Sequence, residues 1–413
     1  MHFLQILLCR KPFEGVVKIK HCRLIIIGLV LLLLSGCWDR SELNEVFFID
    51  AIGIERVEDQ FKVTFQALNP SEIASEERGR GFSQVINYEA EAPTLHEAIR
   101  RVTLSAPRIP RISQLNLLII SEDAAKEGLK NILDLLYRDH NSRATFQILI
   151  SHGDVSPTDI LNVKTPIEIT SKSIVEGQEI ASKVYGANKI STTDVLYYEL
   201  TSPGIEPTVT GISIAGKNNE TESEEDQNVT TIQPKSMLIS NKTALFKEDK
   251  LIGWLNQQES KSLNYFTKES YQSVGSFTCP TGGELALEIQ DVHRKLFSSV
   301  KNDTPYLKYE FDIEAMISEV DCAGLDLKEE SVFREVEKDG EQELKKVLTE
   351  LIKKLTELQT DSIGIGREFY RSHPNYWTEV MEPNENYMDD VKIEIVASYS
   401  IKSPGSKLNS VNK

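Results

Sequence analysis

Cysteine is scarce: the 413-residue chain has five, and no two form a Cys-x-x-Cys pair. A zinc ribbon or a thioredoxin-type dithiol needs that spacing, so both are set aside. Positive charge is short as well, with 46 Lys and Arg against 63 Asp and Glu and a formal net charge of −17. A body this acidic has no electrostatic reason to seek nucleic acid or an anionic bilayer. No apolar run reaches membrane-spanning length; residues 24–34 (LIIIGLVLLLL) supply about 11 residues, roughly half of what a spanning helix needs. His-Glu-x-x-His, Gly-x-Ser-x-Gly and the Walker loop are missing too. Gly364-Ile365-Gly366 lacks the third glycine and the following helix signal of a dinucleotide loop, and reads as a turn. His373 with Glu368 and Glu379 can be drawn as a metal cluster, but the spacing fits no standard motif. Solvated polar residues around Pro374 are the plainer reading. No catalytic residue, metal ligand or cofactor is expected.

What the chain does have is a leader. Residues 10–23 are basic, residues 24–34 have the length of a signal-peptide apolar region, and Leu34-Ser35-Gly36-Cys37 follows at once. This is the lipobox pattern: an aliphatic residue, two small residues that let a protease approach the backbone, then a cysteine whose thiol takes a diacylglyceryl group. The expectation is cleavage after Gly36 and lipid attachment at Cys37. Two or more acyl chains, palmitate among them, anchor a protein stably without a basic patch. The basic cluster ends late for such a leader, which makes Val17 an alternative start. Trp38, next to the anchor, is read either at the membrane interface or packed on the first domain. Cys279 and Cys322 can pair in an exported protein, although two buried free thiols are the slightly favoured alternative.

Hydrophobic periodicity outlines the rest. Residues 46–54 are apolar and 61–67 alternate, two strands joined by a charged turn at 55–60. Residues 71–84 read as a loop. Residues 94–104 make a helix with Leu95, Ala98, Ile99 and Val102 on one face and Thr94 as its cap. A strand at 115–120, a helix from 121 on Leu129, Ile132, Leu133 and Leu136, and a strand at 146–150 continue an alternating α/β or α+β order. Residues 154–204 are hard to parse. Residues 216–234 (GKNNETESEEDQNVTTIQP) are too polar to offset ordering entropy and read as an exposed loop. A hairpin at 244–255 and a helix near 259–266 follow. In the last third, Leu307 to Ile317 alternate in a long strand, 341–358 carries an apolar helical stripe from Leu344 to Leu358, and 391–399 alternates again. The expected class is α+β: a multi-domain, mixed α/β lipoprotein ectodomain. The expected division is 1–36 signal peptide, 37–204 N-terminal α/β domain, 205–275 middle domain with the acidic loop 216–234, 276–403 C-terminal domain and 404–413 flexible tail. The C-terminal domain is expected to be a mostly antiparallel sheet with a long packed helix. Phe369, Tyr370, Tyr376, Trp377 and Tyr387 form an aromatic-rich segment after that helix. Exposed, Tyr376 and Trp377 would be a partner surface; packing under the sheet is the commoner fate of such rings.

Several stretches resemble one family. Cys37-Trp38-Asp39-Arg40-x-Glu42-Leu43-Asn44 and Ala51-Ile52-Gly53-Ile54 are similar to the start of Ger(x)C lipoproteins, the C subunits of spore germinant receptors. Residues 108–120, 128–143, 243–255 and 358–380 (LQTDSIGIGREFYRSHPNYWTEV) match further family segments in order. Glu55 stands where the family often has Asp, and the long leader and residues 216–234 look like local extensions. The resemblance implies three α/β-type domains and a non-enzymatic subunit on the outer face of the spore inner membrane. It also implies assembly with polytopic A and B subunits in nutrient sensing. The competing readings are a solute-binding lipoprotein of a transporter, which needs two similar βαβ lobes around a cleft, and an anchored hydrolase, for which no catalytic constellation is found.

Overall fold

The computed structural model describes residues 45–69, 72, 83–138, 145–166, 168–216, 227–267, 272–279, 282–322, 327 and 329–403. The leader 1–36, Cys37, Trp38, residues 217–226 of the acidic stretch and the tail 404–413 lie outside them. The account below concerns the unit Phe47–Lys413.

Two five-residue strands, Leu117–Ser121 and Gln147–Ser151, have apolar centres and are buried at nearly every position, which marks strands covered on both faces. They lie at the centre of the first sheet. Its strands are β1 (Val46–Val57), β2 (Gln60–Leu68), β3 (Val85–Ala92), β4 (Ile109–Arg111), β5 (Leu117–Ser121), β6 (Gln147–Ser151), β7 (Thr208–Gly216), β8 (Ser236–Lys247) and β9 (Lys250–Leu255). The order is β3-β2-β1-β5-β6-β7-β8-β9, with β4 also paired to β1. Neighbours from β1 through β7 in this order run parallel, and the flanking pairs antiparallel. Because strand side chains alternate, Leu118 and Ile120 enter one core and Leu117 and Ile119 the other. The first core is closed by helices α1 (Leu95–Arg101), α2 (Glu122–Glu127) and α3 (Lys130–Arg138). The second is closed by α4 (Pro157–Asn162) and α5 (Thr170–Val184). Together with α6 (Thr193–Thr201), these last two resolve the stretch that resisted sequence reading.

Three expectations change here. The helix expected from residue 121 is two, because Gly128 adopts φ +131° and ends α2. The second begins against the β8–β9 turn: Asp249 accepts from the Lys130 amide at 3.0 Å through its carboxylate and from the Leu129 amide at 2.9 Å through its carbonyl. Residues 205–275, expected as a middle domain, give β7–β9 to the same sheet, so no break between sheets falls at 204. β3 was not anticipated.

The second sheet has the order β10 (Ser273–Thr278), β11 (Glu284–Lys301), β12 (Thr304–Val320), β13 (Lys392–Ser403). The first three are antiparallel and β13 joins β12 in parallel. Inward residues of β12 alternate without interruption from Leu307 to Ile317. The helix over them, α8 (Glu330–Glu357), has 28 residues, beginning earlier than its apolar stripe implied. Val336, Gly340, Leu344, Leu348, Leu351 and Leu355 face the sheet. Gly340 permits the approach, since a Cβ there would lie 3.3 Å from the Tyr399 ring. Helix α7 (Gln257–Thr267) feeds Phe266 into the same core, edge-on to Tyr309 at 4.9 Å between centroids. Leu245 of β8 and Leu255 of β9 reach this core too, so the two sheets share apolar contacts.

Cys279 and Cys322 are joined in a disulfide, not held as free thiols. Their Cα atoms are 5.9 Å apart, within the range a disulfide spans. They follow β10 and β12, the two strands that flank β11, so the bond ties the sheet at one end. Unreduced peptide mapping should recover them as one linked pair. Closing a 43-residue loop restricts the unfolded chain, and opening it should cost about 2–4 kcal/mol, read as a lower urea midpoint under reductant. Two free thiols in the unreduced protein would contradict the pairing.

Candidate functional site

The 358–391 segment carries both the motif resembling the family and the aromatic cluster. Gln359, at φ +52°, turns the chain out of α8. Thr360 donates its hydroxyl to the Phe246 carbonyl at 2.6 Å, and Lys247 Nζ donates to the Gln359 carbonyl at 2.7 Å. The Glu206 amide donates to the Asp361 carbonyl at 2.9 Å. Residues that follow a helix of the second sheet are thereby stitched to β8 and to the loop before β7, both of the first.

Asp361 is the centre of this junction. Its carboxylate is 3% exposed and accepts three hydrogen bonds: Ile365 N–H at 2.8 Å, Gly366 N–H at 2.6 Å and Tyr387 O–H at 2.7 Å. Burial pushes the Asp361 carboxyl above its ordinary value, while the amide and hydroxyl donors pull the other way. The Tyr387 hydroxyl is pushed far up by burial and by the adjacent carboxylate. Glu206 is raised too, chiefly by burial, and accepts from the Glu248 amide at 2.7 Å.

The Gly-x-Gly reading changes accordingly. A helix does begin there, α9 (Ile365–Ser372), with Gly364 at φ +77° before it. Its leading amides face the protein's own carboxylate, a common pairing of an anion with a helix N-terminus. Gly366 is required by crowding: a Cβ would stand 2.5 Å from the Trp377 ring, 2.7 Å from the Tyr387 oxygen and 2.8 Å from Gly204 Cα. Across that contact Arg367 N–H donates to the Gly204 carbonyl at 2.7 Å.

Trp377, one of two residues considered for a partner surface, is 4% exposed and packs edge-on to Tyr387 at 5.5 Å between centroids. Tyr376 is half-buried and donates its hydroxyl to the Asp303 carbonyl at 2.8 Å, at the β11–β12 turn. Tyr370, 46% exposed, is the open ring of the segment. Cys37 lies outside the described residues. His373, Glu368 and Glu379 do not assemble: Glu368 accepts from Ser298 and Ser372, and among the described residues no group of His, Cys, Asp and Glu is placed to hold a metal.

A groove of about 430 Å³ between α5 and β8 went unseen in the sequence. Ile174, Ile212 and Leu238 give it an apolar wall, and Asn188 donates to Gln178 at 2.8 Å beside it. Gln178 also donates to Ser240 of β8.

The Asp361 junction makes a quantitative prediction. Asp361→Ala strands three donors and should cost at least about 3 kcal/mol. Tyr387→Phe removes one donor and should cost about 1 kcal/mol. Urea unfolding of both variants checks the ranking; equal and small effects would mean the junction does not hold the sheets together.

Comparison with known proteins covers most of the chain. Residues 39–214 match the family described as spore germination protein N-terminal domain, and residues 241–405 the one described as spore germination B3/GerAC like, C-terminal. Spore germination protein KC of Bacillus subtilis (strain 168) is 28% identical over 404 residues, covering 95% of this chain and 98% of its own. Spore germination protein GerQC of Bacillus cereus is 22% identical over 388 residues, covering 93% and 99%. The crystal structure of the GerBC protein shares the fold, with a TM-score of 0.54 at 15% identity over 85% of this chain and 96% of that one. With both family models matched in order, the chain belongs to the Ger(x)C family of spore germination proteins.

Proposed function

We propose that this protein is the lipid-anchored C subunit of a nutrient germinant receptor. Acyl chains on Cys37 hold it at the outer face of the spore inner membrane, where it assembles with polytopic A and B subunits. The observation that carries this reading is the pairing of a lipobox with both halves of the Ger(x)C family in sequence order. No helix of the described residues is long and apolar enough to cross a membrane, so on this reading the membrane contact is made through the acylated cysteine.

The protein acts by binding and assembly, without turnover. On the aromatic segment, partner contact falls to Tyr370 and the open side of Tyr376, with Trp377 as the buried support that sets their position. A transporter's solute-binding lipoprotein fits less well. That class needs two similar lobes, whereas the described residues form one sheet of nine strands with a parallel centre and one of four, mostly antiparallel.

Spores lacking this chain should lose dipicolinate release in response to at least one nutrient among a panel of amino acids and sugars. Wild type should restore it, and Cys37→Ala should restore it poorly while incorporating no labelled fatty acid. Labelling of Cys37→Ala would sink the anchor, and unaltered germination to every nutrient in spores stripped of all paralogous receptors would sink the receptor assignment.

A further inference from the structure

Lys261 is a buried cation that no carboxylate pairs with among the described residues. It lies on α7 at 7% exposure. Its ammonium donates to the Val274 carbonyl at 3.0 Å and stands 3.5 Å from the centroid of the Tyr185 ring. Taking an ammonium out of water costs several kcal/mol, and one carbonyl and one ring face replace only part of its hydration. Burial accordingly pulls its pKa down to about 8. Lysine is almost never fully buried unless paired, so its burial here calls for a partner.

The ammonium opens onto a cavity of about 330 Å³ between α7, β10 and α8. That is the small end of the range for ligand pockets. Tyr265, Phe277, Leu344, Val347 and Tyr399 supply aromatic and apolar wall, and Gln258, one turn before Lys261, brings an amide to the lining. Lys261 is the one cation among the described lining residues, and no arginine fork is present for a phosphate. Glu343, the one acid among the described lining residues, is 3.3 Å from Lys346. A dianion would meet one positive charge and one negative; a single carboxylate would meet the lysine alone. An ammonium has three donors, so an occupant can be bound without displacing the Val274 carbonyl.

We infer that this cavity is a binding site for a small monocarboxylate with an apolar body, its carboxylate against Lys261 Nζ and its body against Val347 and Tyr399. The bound anion supplies the counter-charge that no described residue provides. The site is separate from the Asp361 junction and does not depend on the receptor assignment.

The test uses the full-length chain in detergent, with sodium benzoate as probe and benzamide as its uncharged counterpart. Isothermal titration should give benzoate binding at least about ten-fold tighter than benzamide, one charge-assisted contact's worth. Benzoate should also raise the melting temperature. Lys261→Met should lose the benzoate response and melt higher than wild type without ligand, because a bare interior charge has been removed. Val347→Trp keeps the lysine but fills the cavity, and should lose benzoate as well. The other titratable groups on the cavity are Tyr185, Tyr265, Glu343 and Tyr399, the last held neutral by burial. Benzoate affinity should therefore follow Lys261, steady below its pKa and falling about ten-fold per pH unit above it. Equal binding of benzoate and benzamide, binding of neither, or full benzoate binding by Lys261→Met would overturn the proposal. Should that variant fail to fold, benzoate binding that survives Val347→Trp and stays flat from about pH 7 to 10 would overturn it.

Discussion

Asp361 sits where the two sheets meet, and the approach of the segments around it depends on its three donors being satisfied. Without the carboxylate, the first amides of α9 and the Tyr387 hydroxyl would be buried with nothing to accept them. Around this acid the backbone crowds so closely that Gly204 and Gly366 leave no room for a Cβ. The interaction is costly, since a buried carboxyl resists ionisation, and it is local. Its effect is long-range because the residues before it are bonded to β8 and the residues after it to Gly204.

Two further links work in the same direction. Lys354, near the end of α8, donates to the Trp254 carbonyl at 3.1 Å and to Glu259 at 2.7 and 2.8 Å. The helix that covers the second sheet is thus fastened to the last strand of the first and to α7. Phe266 then fills the space between, edge-on to Tyr309 and Phe311. None of these contacts lies on a free linker, so the two sheets are joined through packed side chains and hydrogen bonds.

Much of this was readable in advance, for physical reasons that differ by element. β12 has one wetter face and one dry face, so its side chains alternate in kind and the period of two is visible; β2 alternates too, although its polar residues Thr64 and Gln66 are buried against α4, bonded to Thr158 and the Leu161 carbonyl. β3 (VINYEAEA) is an edge strand whose polarity comes from its position, and β11 places polar residues outward along 18 residues with a bulge between Ile289 and Asp291. Neither announces itself. α8 was read short because Gly340 interrupts its stripe, and only the Tyr399 ring opposite explains the gap. No periodicity reports that β7–β9 join a sheet begun at Val46, or that two cysteines 43 apart meet. Trp377 shows the limit for sites: composition gathers aromatics but does not say which are walls and which are surface. Lys261 did leave a trace, a cation one helical turn from Tyr265 on a helix whose next residues are buried, but a charge on a helix is ordinarily read as solvated.

The β7–β8 pair has an evolutionary meaning. Its strands stay paired out to Gly216 opposite Ser236, through one register shift between Gly211 and Ser213, and the seam between the two family matches falls across this same hairpin. Whatever chain separates those two residues leaves and returns at one spot, and doubling such a connection adds only about 0.6 kcal/mol of closure entropy. Related proteins can therefore gain or lose residues here at little cost, whereas a split of the gene at the same point would tear one sheet in two.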